Sequence, residues 1–253
     1  MKISIITVCY NSESTIEDTI KSVLSQDYED IEYIIIDGGS TDGTLSIINK
    51  YTDRIATVVS EPDKGIYDAM NKGILFATGE LIGILNSDDL FASRDTISQV
   101  IERVKLSTED AVYFGDIAIV ERENIDNVKR YYAVKEFTKL KLKLGVMPPH
   151  PATFVFRSLY EKIGLYKTDY KIAADFEFYV RATLKNNVPA KNIGVHVVNM
   201  RDGGISTSGI NFFKISSGEM TKALRENGIW SNSFITSIRL PLKLWSKVSR
   251  RPL

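Results

Sequence analysis

The sequence has few of the side chains that build disulfide frameworks and histidine metal sites. Its 253 residues include one cysteine and two histidines. A single cysteine cannot form a disulfide within the chain, and Cys9 lies in an apolar run where a buried, inert thiol is expected. His150 and His196 are isolated from one another and do not have metal-ligand spacing. This composition fits a reducing compartment and excludes a disulfide-stabilised or histidine-paired metal protein.

Neither sign of charge dominates, and no long apolar run occurs. Thirty-two basic residues balance thirty-two acidic ones, so no overall field favours nucleic acid, and we predict no nucleic-acid partner. A transmembrane helix needs roughly eighteen consecutive apolar residues, and no such run is found. The N-terminal apolar segment meets Asn11 before a signal-peptide core could reach full length. We therefore expect a cytoplasmic protein.

Short β-branched runs alternate with segments of helical periodicity in the first half of the chain. Strands are predicted at Ile3–Cys9, Ile31–Ile36, Ile55–Ser60 and Glu80–Leu85, and helices at Ser14–Ser25, Thr44–Tyr51, Tyr67–Ala77 and Ser93–Lys105. This alternation predicts an α/β fold with a mostly parallel sheet sandwiched by helices.

The pattern becomes mixed after residue 110. Short strands are predicted at Ala111–Phe114, Asp116–Val120, Ala152–Phe156 and Ile193–Met200, and helices at Glu136–Leu144, Ala173–Leu184 and Phe212–Asn227. A polar loop is expected over residues 121–129. We predict one domain over residues 1–208, with a ligand-binding half at 1–110 and a smaller mixed half at 111–208, followed by a helical extension at 209–253.

Polar side chains follow all four predicted strands of the first half. They are Tyr10 and Asn11 after the first strand, Asp37 to Gly43 after the second, Glu61 to Asp63 after the third, and Asn86 to Asp89 after the fourth. Ligands of parallel sheets bind outside the carboxyl ends of the strands. The sequence therefore predicts a polar, acidic site at one edge of the sheet.

Asp88 and Asp89 are adjacent carboxylates placed directly after an apolar strand. Magnesium and manganese prefer oxygen ligands and are often held by one or two carboxylates plus phosphate. Successive side chains of an extended backbone point to opposite sides, so both cannot easily bind one atom. We expect one to bind Mn²⁺ or Mg²⁺ and the other a ribose hydroxyl; the alternative is a cap for the following helix.

A second acidic position lies in the predicted helix that begins at Ala173. Asp175 and Glu177 are about 200° apart on a helix, so only one can face a pocket, and we choose Asp175. The alternative is a favourable charge near a helix N-terminus. His150 is held between prolines in an extended segment, where it is predicted to contact substrate, as is Arg201 in a polar loop.

The order of these motifs resembles that of family 2 glycosyltransferases with the GT-A fold. The resemblance covers roughly residues 1 to 205 and rests on Ser4 to Asn11, Ile36 to Thr44, Glu61 to Gly65 with Asn71 to Gly73, Asn86 to Asp89, and Ala174 to Glu177. Each motif is weak singly, and the set is specific in this order.

The resemblance implies transfer of a sugar from a nucleotide diphosphate donor, expected to be a UDP-sugar, with inversion at the anomeric carbon. It implies Asp175 as the general base, Asp89 as the metal ligand, and donor contacts from Thr7, Tyr10, Asp37, Asp63, Lys64, Asn71 and Asp88. From their own positions in the sequence, His150 and Arg201 are expected to lie toward the acceptor. The expected acceptor is a lipid-linked glycan of bacterial surface-polysaccharide assembly. Lipopolysaccharide is one such polysaccharide.

Two departures from the family pattern concern the donor. Gly38 stands where many members have a second acid that approaches the nucleobase of the donor, and Met70 stands where many have arginine. Two other functions remain open at this point. A sugar nucleotidyltransferase shares the sheet and the metal chemistry but ordinarily has a Gly-rich basic loop after the first strand. A noncatalytic nucleotide-sugar-binding module would share the fold without the reaction.

The C-terminal stretch 234–253 combines apolar and basic residues at helical spacing. The basic row includes Arg239, Lys243 and Lys247. One interpretation is a basic amphipathic helix on an anionic membrane surface, which would make the protein peripheral at the inner face of the cytoplasmic membrane. The other is a terminal helix docked on the domain, and Pro241 disfavours a single straight helix.

Overall fold

The computed structural model describes residues 1–107, 110–134, 136–203 and 209–239. The described strands are β1 (Ile3–Cys9), β2 (Ile31–Asp37), β3 (Thr57–Ser60), β4 (Leu81–Asn86), β5 (Asp89–Phe91), β6 (Val112–Val120), β7 (Val128–Tyr132), β8 (Thr153–Phe156) and β9 (Ala190–Arg201). The described α-helices are α1 (Ile16–Leu24), α2 (Thr44–Ile48), α3 (Ile66–Phe76), α4 (Thr96–Lys105), α5 (Lys139–Lys143), α6 (Arg157–Ile163), α7 (Ala174–Tyr179), α8 (Gly209–Glu226) and α9 (Ser233–Ser237). A π-helical stretch, Val180–Lys185, continues α7.

The described strands form one sheet in the order β3-β2-β1-β4-β8-β6-β9-β5, with β7 paired to β6. The first four strands in this order are parallel neighbours. The rest is mixed, because β8 runs antiparallel to both β4 and β6 while β9 runs parallel to β6. The four parallel strands all lie before residue 110, whereas the mixed part combines β5 with strands that follow residue 110.

Alternate residues of the central strands enter two separate cores. Ile6 of β1 and Ile34 of β2 pack with α3, whereas Ile5 and Ile35 pack on the opposite face with α1 and α4. Both faces of β1 are buried over its whole length. The near-continuous apolar run of this strand follows from that, since a parallel strand covered by helices has no face in water.

Three described elements were not predicted from the sequence. β5 has only three residues, and β7 lies in the segment expected to be a polar loop, with most of its residues exposed. Helix α6 directly continues β8. The two short strands expected after residue 110 are one strand, β6, which runs through Gly115. The register against β9 shifts at this glycine, and a side chain there would collide with Val197 and the Val195 carbonyl.

The first helix of the predicted C-terminal extension belongs to the main folded unit. Met220, Ala223 and Leu224 of α8 are buried in the same core as α3 and α7. Arg239 is also buried, with its guanidinium bonded to Ser216 and Ser217, so it is not part of an exposed basic row. The remainder of the predicted membrane-binding stretch, 240–253, lies outside the described residues. Within the described part of the chain, no helix has the length and apolar character needed to cross a membrane.

Candidate active site

The candidate site lies where the strand order changes direction along the chain. The chain passes from β1 to β2 and β3 on one side, and β4 lies on the other side of β1. Ligands of open α/β sheets bind at such a switch point, outside the carboxyl ends of the strands. The loops that follow β1 and β4 meet there, since the hydroxyl oxygens of Ser12 and Ser87 are 2.8 Å apart.

A pocket of about 440 Å³ opens beside the ends of β1, β2 and β3. Its lining consists of Tyr10, Gly38, Gly39, Pro62 and Asp63. The Tyr10 ring is 61% exposed and available for stacking against a planar ligand. Gly39 has a φ of +81°, which only glycine adopts without strain. The structure thus brings Tyr10 and Asp63, both predicted to bind the donor, to one cavity.

Asp63 occupies the space beside Gly38. A Cβ atom added at Gly38 would lie 2.3 Å from Asp63 Oδ2, closer than any real contact. Asp63 Oδ1 accepts a hydrogen bond from the backbone N–H of Gly65 at 2.7 Å, which fixes the orientation of the carboxylate. The acid that the sequence lacks at position 38 is therefore replaced in space by the acid at position 63.

Asp37 organises the loop after β2. Its side chain is completely buried, and its Oδ2 accepts hydrogen bonds from the backbone N–H groups of Gly39 and Ser40 and from the Ser60 hydroxyl. The Ser40 hydroxyl donates to Oδ1. With both oxygens occupied by protein donors, Asp37 shapes the pocket wall. The structure does not present this carboxylate to a donor as the sequence interpretation expected.

Asp88 and Asp89 differ in accessibility. Asp88 is partly exposed, whereas Asp89, the first residue of β5, is 1% exposed. The Asn86 amide donates to Asp89 Oδ2 at 3.1 Å. Burial, with the neighbouring Asp88 charge, raises the pKa of Asp89 well above its usual range. The sequence interpretation gave the metal to Asp89 and the ribose to Asp88; accessibility favours Asp88 as the carboxylate that meets a ligand and Asp89 as its support.

The residues around this turn suit a hard divalent cation in part. Asn86 Oδ1 is buried without a hydrogen-bond partner among the described residues, while the amide nitrogen of the same side chain bonds Asp89. No cluster of three or more His, Cys, Asp or Glu side chains with metal-ligand geometry occurs in the described ranges. Magnesium and manganese commonly take few protein ligands and complete their shell with phosphate and water. The oxygen donors present fit that mode of binding.

Arg201 lies against the Asp88–Asp89 turn. It is 6% exposed, and one of its terminal nitrogens donates to Asp18 Oδ2 at 2.6 Å. The other is 3.4 Å from the backbone carbonyl of Asp88. Its predicted contact with the acceptor does not match this position, because the guanidinium is already committed to holding the turn against α1.

Asp175 is a partly exposed carboxylate at the start of α7. Burial raises its pKa above the usual value of 3.8, although the nearby His150, the Phe176 N–H and the Tyr67 hydroxyl act in the opposite direction. Tyr67 Oη is 3.4 Å from Asp175 Oδ1. Glu177 is fully buried and ion-paired with Arg181, so the choice of Asp175 over Glu177 agrees with the geometry.

The His150 ring packs against Tyr166 with ring centroids 5.7 Å apart, and His150 and Asp175 each affect the pKa of the other. Its Nε2 is 3.1 Å from the hydroxyl of Tyr166, and burial lowers the pKa of its imidazole. Tyr67 and Tyr166 pack with ring centroids 5.9 Å apart. Asp175 thus adjoins a cluster of aromatic side chains that includes Tyr67, Tyr166 and His150, and such a cluster suits the apolar faces of a sugar ring.

Three other predicted donor residues lie in different surroundings. Asn71 is bonded through both atoms of its amide to the backbone of Tyr166, at 2.8 and 2.9 Å. Thr7 is completely buried in β1, where its hydroxyl accepts from Tyr33 at 3.1 Å. Lys64 is exposed in the loop between β3 and α3. Lys64 directly follows Asp63 of the pocket lining, Thr7 is away from solvent, and the Asn71 amide is used to hold the Tyr166 backbone.

Sequence reasoning missed Tyr67 and Asn86. Tyr67 was assigned only as the start of a helix, although its position two residues after Gly65 places it next to the strand ends. Asn86 was seen as part of the motif without a role. The available signal in both cases was position: each residue follows closely on a strand end or on the loop after it.

The sequence matches known proteins over most of its length. Residues 4–164 match the sequence model described as Glycosyl transferase family 2. The chain belongs to this family. An uncharacterized glycosyltransferase of Mycobacterium tuberculosis is 37% identical over 187 residues, which cover 72% of the chain and 69% of the relative. A PGL/p-HBAD biosynthesis glycosyltransferase of Mycobacterium bovis is 29% identical over 81% of the chain and 79% of the relative.

Solved structures share the GT-A fold of this family 2 glycosyltransferase. TarS of S. aureus superposes with a TM-score of 0.66 at 20% identity, over 88% of the chain and 40% of TarS, so the chain spans less than half of that protein. The mannosyltransferase PcManGT of Pyrobaculum calidifontis, in complex with GDP-Man and Mn²⁺, gives a TM-score of 0.63 at 20% identity, over 89% of the chain and 63% of that protein. The predicted family and fold class are confirmed.

Proposed function

We propose that this glycosyltransferase inverts the configuration of the sugar that it transfers, using a UDP-hexose as donor and a hydroxyl of a glycan as acceptor. The observation that carries the proposal is Asp175. It is partly exposed, its pKa is raised by burial, and the neighbouring acid Glu177 is committed to Arg181. Inversion proceeds by a single displacement, which needs one general base and no carboxylate nucleophile.

The donor is proposed to bind along the carboxyl ends of β1 to β4. Tyr10 stacks on the nucleobase, and Asp63 accepts a hydrogen bond from a ring N–H such as that of uracil. Asp88 lies at the far end of this line, toward the ribose and diphosphate. A structure of the fold relative TarS in complex with UDP-GlcNAc, at 19% identity and a TM-score of 0.65, supports a donor of this class.

A divalent cation, Mn²⁺ or Mg²⁺, is proposed to be held by Asp88 and Asn86. Asp89 orients the Asn86 amide through its hydrogen bond and leaves Asn86 Oδ1 free for the ion. When bound, such an ion supplies positive charge next to the diphosphate as negative charge develops on it. Arg201 supports the Asp88–Asp89 turn through its contact with the backbone carbonyl of Asp88.

Asp175 is proposed to remove the proton from the acceptor hydroxyl. The acceptor oxygen forms a bond to the anomeric carbon while the bond to the diphosphate oxygen breaks, and the proton remains on the Asp175 carboxylate. The raised pKa of Asp175 makes it a better base than an ordinary aspartate at the pH at which it is still ionised. His150, beside it, is placed to orient the acceptor by a hydrogen bond.

The acceptor is proposed to be a lipid-linked glycan of bacterial surface-polysaccharide assembly. The relation to a PGL/p-HBAD biosynthesis glycosyltransferase supports an acceptor of this class. A contact with anionic membrane through residues 234–253 on the inner face of the cytoplasmic membrane would serve such an acceptor. Phe234, at 79% exposed, is the described residue of that stretch best placed to enter a bilayer surface. Co-sedimentation with anionic liposomes that survives deletion of 240–253 and Phe234→Ser would contradict this contact.

The central experiment measures release of nucleoside diphosphate from a panel of nucleotide sugars with Mn²⁺ and a polyprenyl-linked glycan acceptor. We expect turnover of one donor, loss of turnover with EDTA, and loss in Asp88→Asn. Asp30→Asn is the matched control, because Asp30 is an exposed aspartate near the amino ends of β1 and β2. If calorimetry detects no binding of any nucleotide sugar, with or without the metal, the proposed function is wrong.

A further inference from the structure

The backbone just before Asp175 is bonded to one side chain of α8, Glu219. Glu219 accepts hydrogen bonds from three successive backbone N–H groups, those of Lys171, Ile172 and Ala173, at 2.8, 2.9 and 2.9 Å. One of its carboxylate oxygens takes the first N–H and the other takes the next two. Consecutive N–H groups that converge in this way form a concave anion site, here filled by the protein itself.

The same segment is held from the other side by α3. The Tyr67 hydroxyl donates to the backbone carbonyl of Ile172 at 2.5 Å and lies 3.4 Å from Asp175 Oδ1. Ile172 is thus fixed at its N–H by Glu219 and at its C=O by Tyr67. The backbone leading into α7 has little freedom while both contacts are present, so the position of the Asp175 carboxylate follows from them.

We infer that Glu219 is a positioning residue for the general base. It does not touch the reacting atoms; it sets where Asp175 stands relative to the acceptor hydroxyl by fixing residues 171–173. This inference rests on the proposed role of Asp175 and adds a partner that lies beyond residues 4–164, the range matched by the family. A displacement of about 1 Å at a reacting group can lower a rate by roughly a hundredfold, so such a contact has kinetic weight.

Both oxygens of the Glu219 carboxylate are needed to accept the three backbone N–H groups. An amide of the same size has one acceptor oxygen and one NH₂ group, so Glu219→Gln would set an N–H donor against backbone N–H donors. The substitution preserves the volume of the side chain and the packing of α8. It therefore changes the hydrogen bonds to residues 171–173 without opening a cavity.

Glu226 provides a matched control on the same helix. It lies two turns after Glu219, and its carboxylate bonds Lys167 and the Tyr170 hydroxyl, at 2.8 and 2.9 Å. Glu226→Gln removes the same charge from α8 and loosens a neighbouring contact. It leaves the three N–H groups before Asp175 in place.

The experiment compares wild type, Glu219→Gln, Glu226→Gln and Asp175→Asn in three measurements: kcat with donor and acceptor, the donor dissociation constant, and amide hydrogen exchange of the peptide that contains residues 171–173. For Glu219→Gln we expect kcat to fall roughly 10- to 100-fold, donor affinity to stay within about twofold, and exchange in the peptide to accelerate at least about tenfold. Glu226→Gln should keep kcat within about twofold of wild type.

Two results would overturn the inference. One is a Glu219→Gln variant whose exchange accelerates while its kcat matches that of Glu226→Gln, because the contact would then be structural only. The other is unchanged exchange at residues 171–173. If Asp175→Asn keeps the wild-type kcat, the proposed role of Asp175 as the base is wrong. If Asp175→Asn is inactive but Glu219→Gln has the wild-type kcat, only the inferred role of Glu219 is wrong.

Discussion

Glu32 and Asp175 show how differently one domain treats two partly buried carboxylates. Glu32 lies near the amino ends of β1 and β2, where Lys2, Ser4 and Thr78 donate to both of its oxygens. Burial alone would raise its pKa, but these hydrogen bonds lower it to about 2. Asp175 lies on the side where the strands end, and there burial prevails and raises the pKa.

The difference separates structural acids from acids available for chemistry. A carboxylate whose lone pairs are all taken by protein donors is stable as an anion and has nothing left to offer a substrate. A carboxylate that remains under-solvated and only partly bonded is poised to accept a proton. The same contrast holds on the functional side itself, between the saturated Asp37 and the more open Asp63 and Asp88.

The largest expected effect comes from Asp175→Asn. The amide cannot accept the acceptor's proton at neutral pH, so we expect the rate of transfer to fall by about 10²- to 10⁴-fold. The donor dissociation constant should change by less than about twofold, because Asp175 lies away from the pocket of Tyr10 and Asp63. Transfer assays and calorimetry on the same preparation measure both. A loss of donor affinity equal to the loss of rate would show that the residue binds the donor instead.

Acid should stop the reaction before it unfolds the protein. The base must be ionised, so transfer is full above the raised pKa of Asp175 and falls about tenfold per unit below it. The midpoint should lie above 3.8, the usual aspartate value. The titratable groups that interact electrostatically with Asp175 are Tyr67, His150, Tyr166, Tyr179 and Arg239. A pH–rate profile at saturating substrates, beside circular dichroism at each pH, tests this; coincident loss of rate and fold would contradict it.

Glu32→Gln should reduce stability and leave catalysis intact. The variant loses charge-assisted hydrogen bonds, and we expect the free energy of unfolding to fall by about 1–3 kcal/mol. Because the folded pKa of Glu32 is below its usual value of 4.5, its contribution is complete above pH 4.5 and is lost as pH falls toward about 2. Urea titrations should therefore show a difference between wild type and variant that shrinks over this range. A difference that is constant from neutral pH to about 2 would contradict the assignment.

The smallest effect is expected for Thr7→Val. Tyr33 would lose the acceptor for its buried hydroxyl, at a cost of about 1 kcal/mol in stability. Donor affinity should not change, since Thr7 is completely buried. Denaturant titration and calorimetry measure the two quantities. A tenfold loss of donor affinity in Thr7→Val would instead support the donor contact that the family resemblance implies for Thr7.

The sequence predicted the parallel half of the fold well for a physical reason. β1 to β4 and the helices between them each have a clear hydrophobic pattern, and the residues of β1, β2 and β4 are largely buried on both faces. β5 and β7 lack such a signal, since three residues are too few for a period and Val128–Tyr132 is mostly exposed and has no apolar–polar alternation. These strands form because β9 and β6 offer a free edge, which is a tertiary effect.

The sequence located the candidate site but not the task of each residue in it. Strand ends meet at one edge by topology, so Tyr10, Asp63 and Asp88 could be placed together in advance. Whether an acid is saturated depends on partners far away in the chain, as for Asp37 with Ser60. Asn71 with Tyr166 and Arg201 with Asp18 are of the same kind. No local pattern carries that information.

The Glu219 contact changes where the enzyme should be cut in chimeras. A boundary at residue 208 would transfer α7 and Asp175 to a new partner without Glu219, the side chain that bonds the backbone before α7. Exchange of acceptor preference between relatives is better attempted with a cassette that runs from the start of β8 to the end of α8. Such a cassette keeps the hydrogen bonds between Glu219 and the backbone before Asp175, whereas a shorter one loses them.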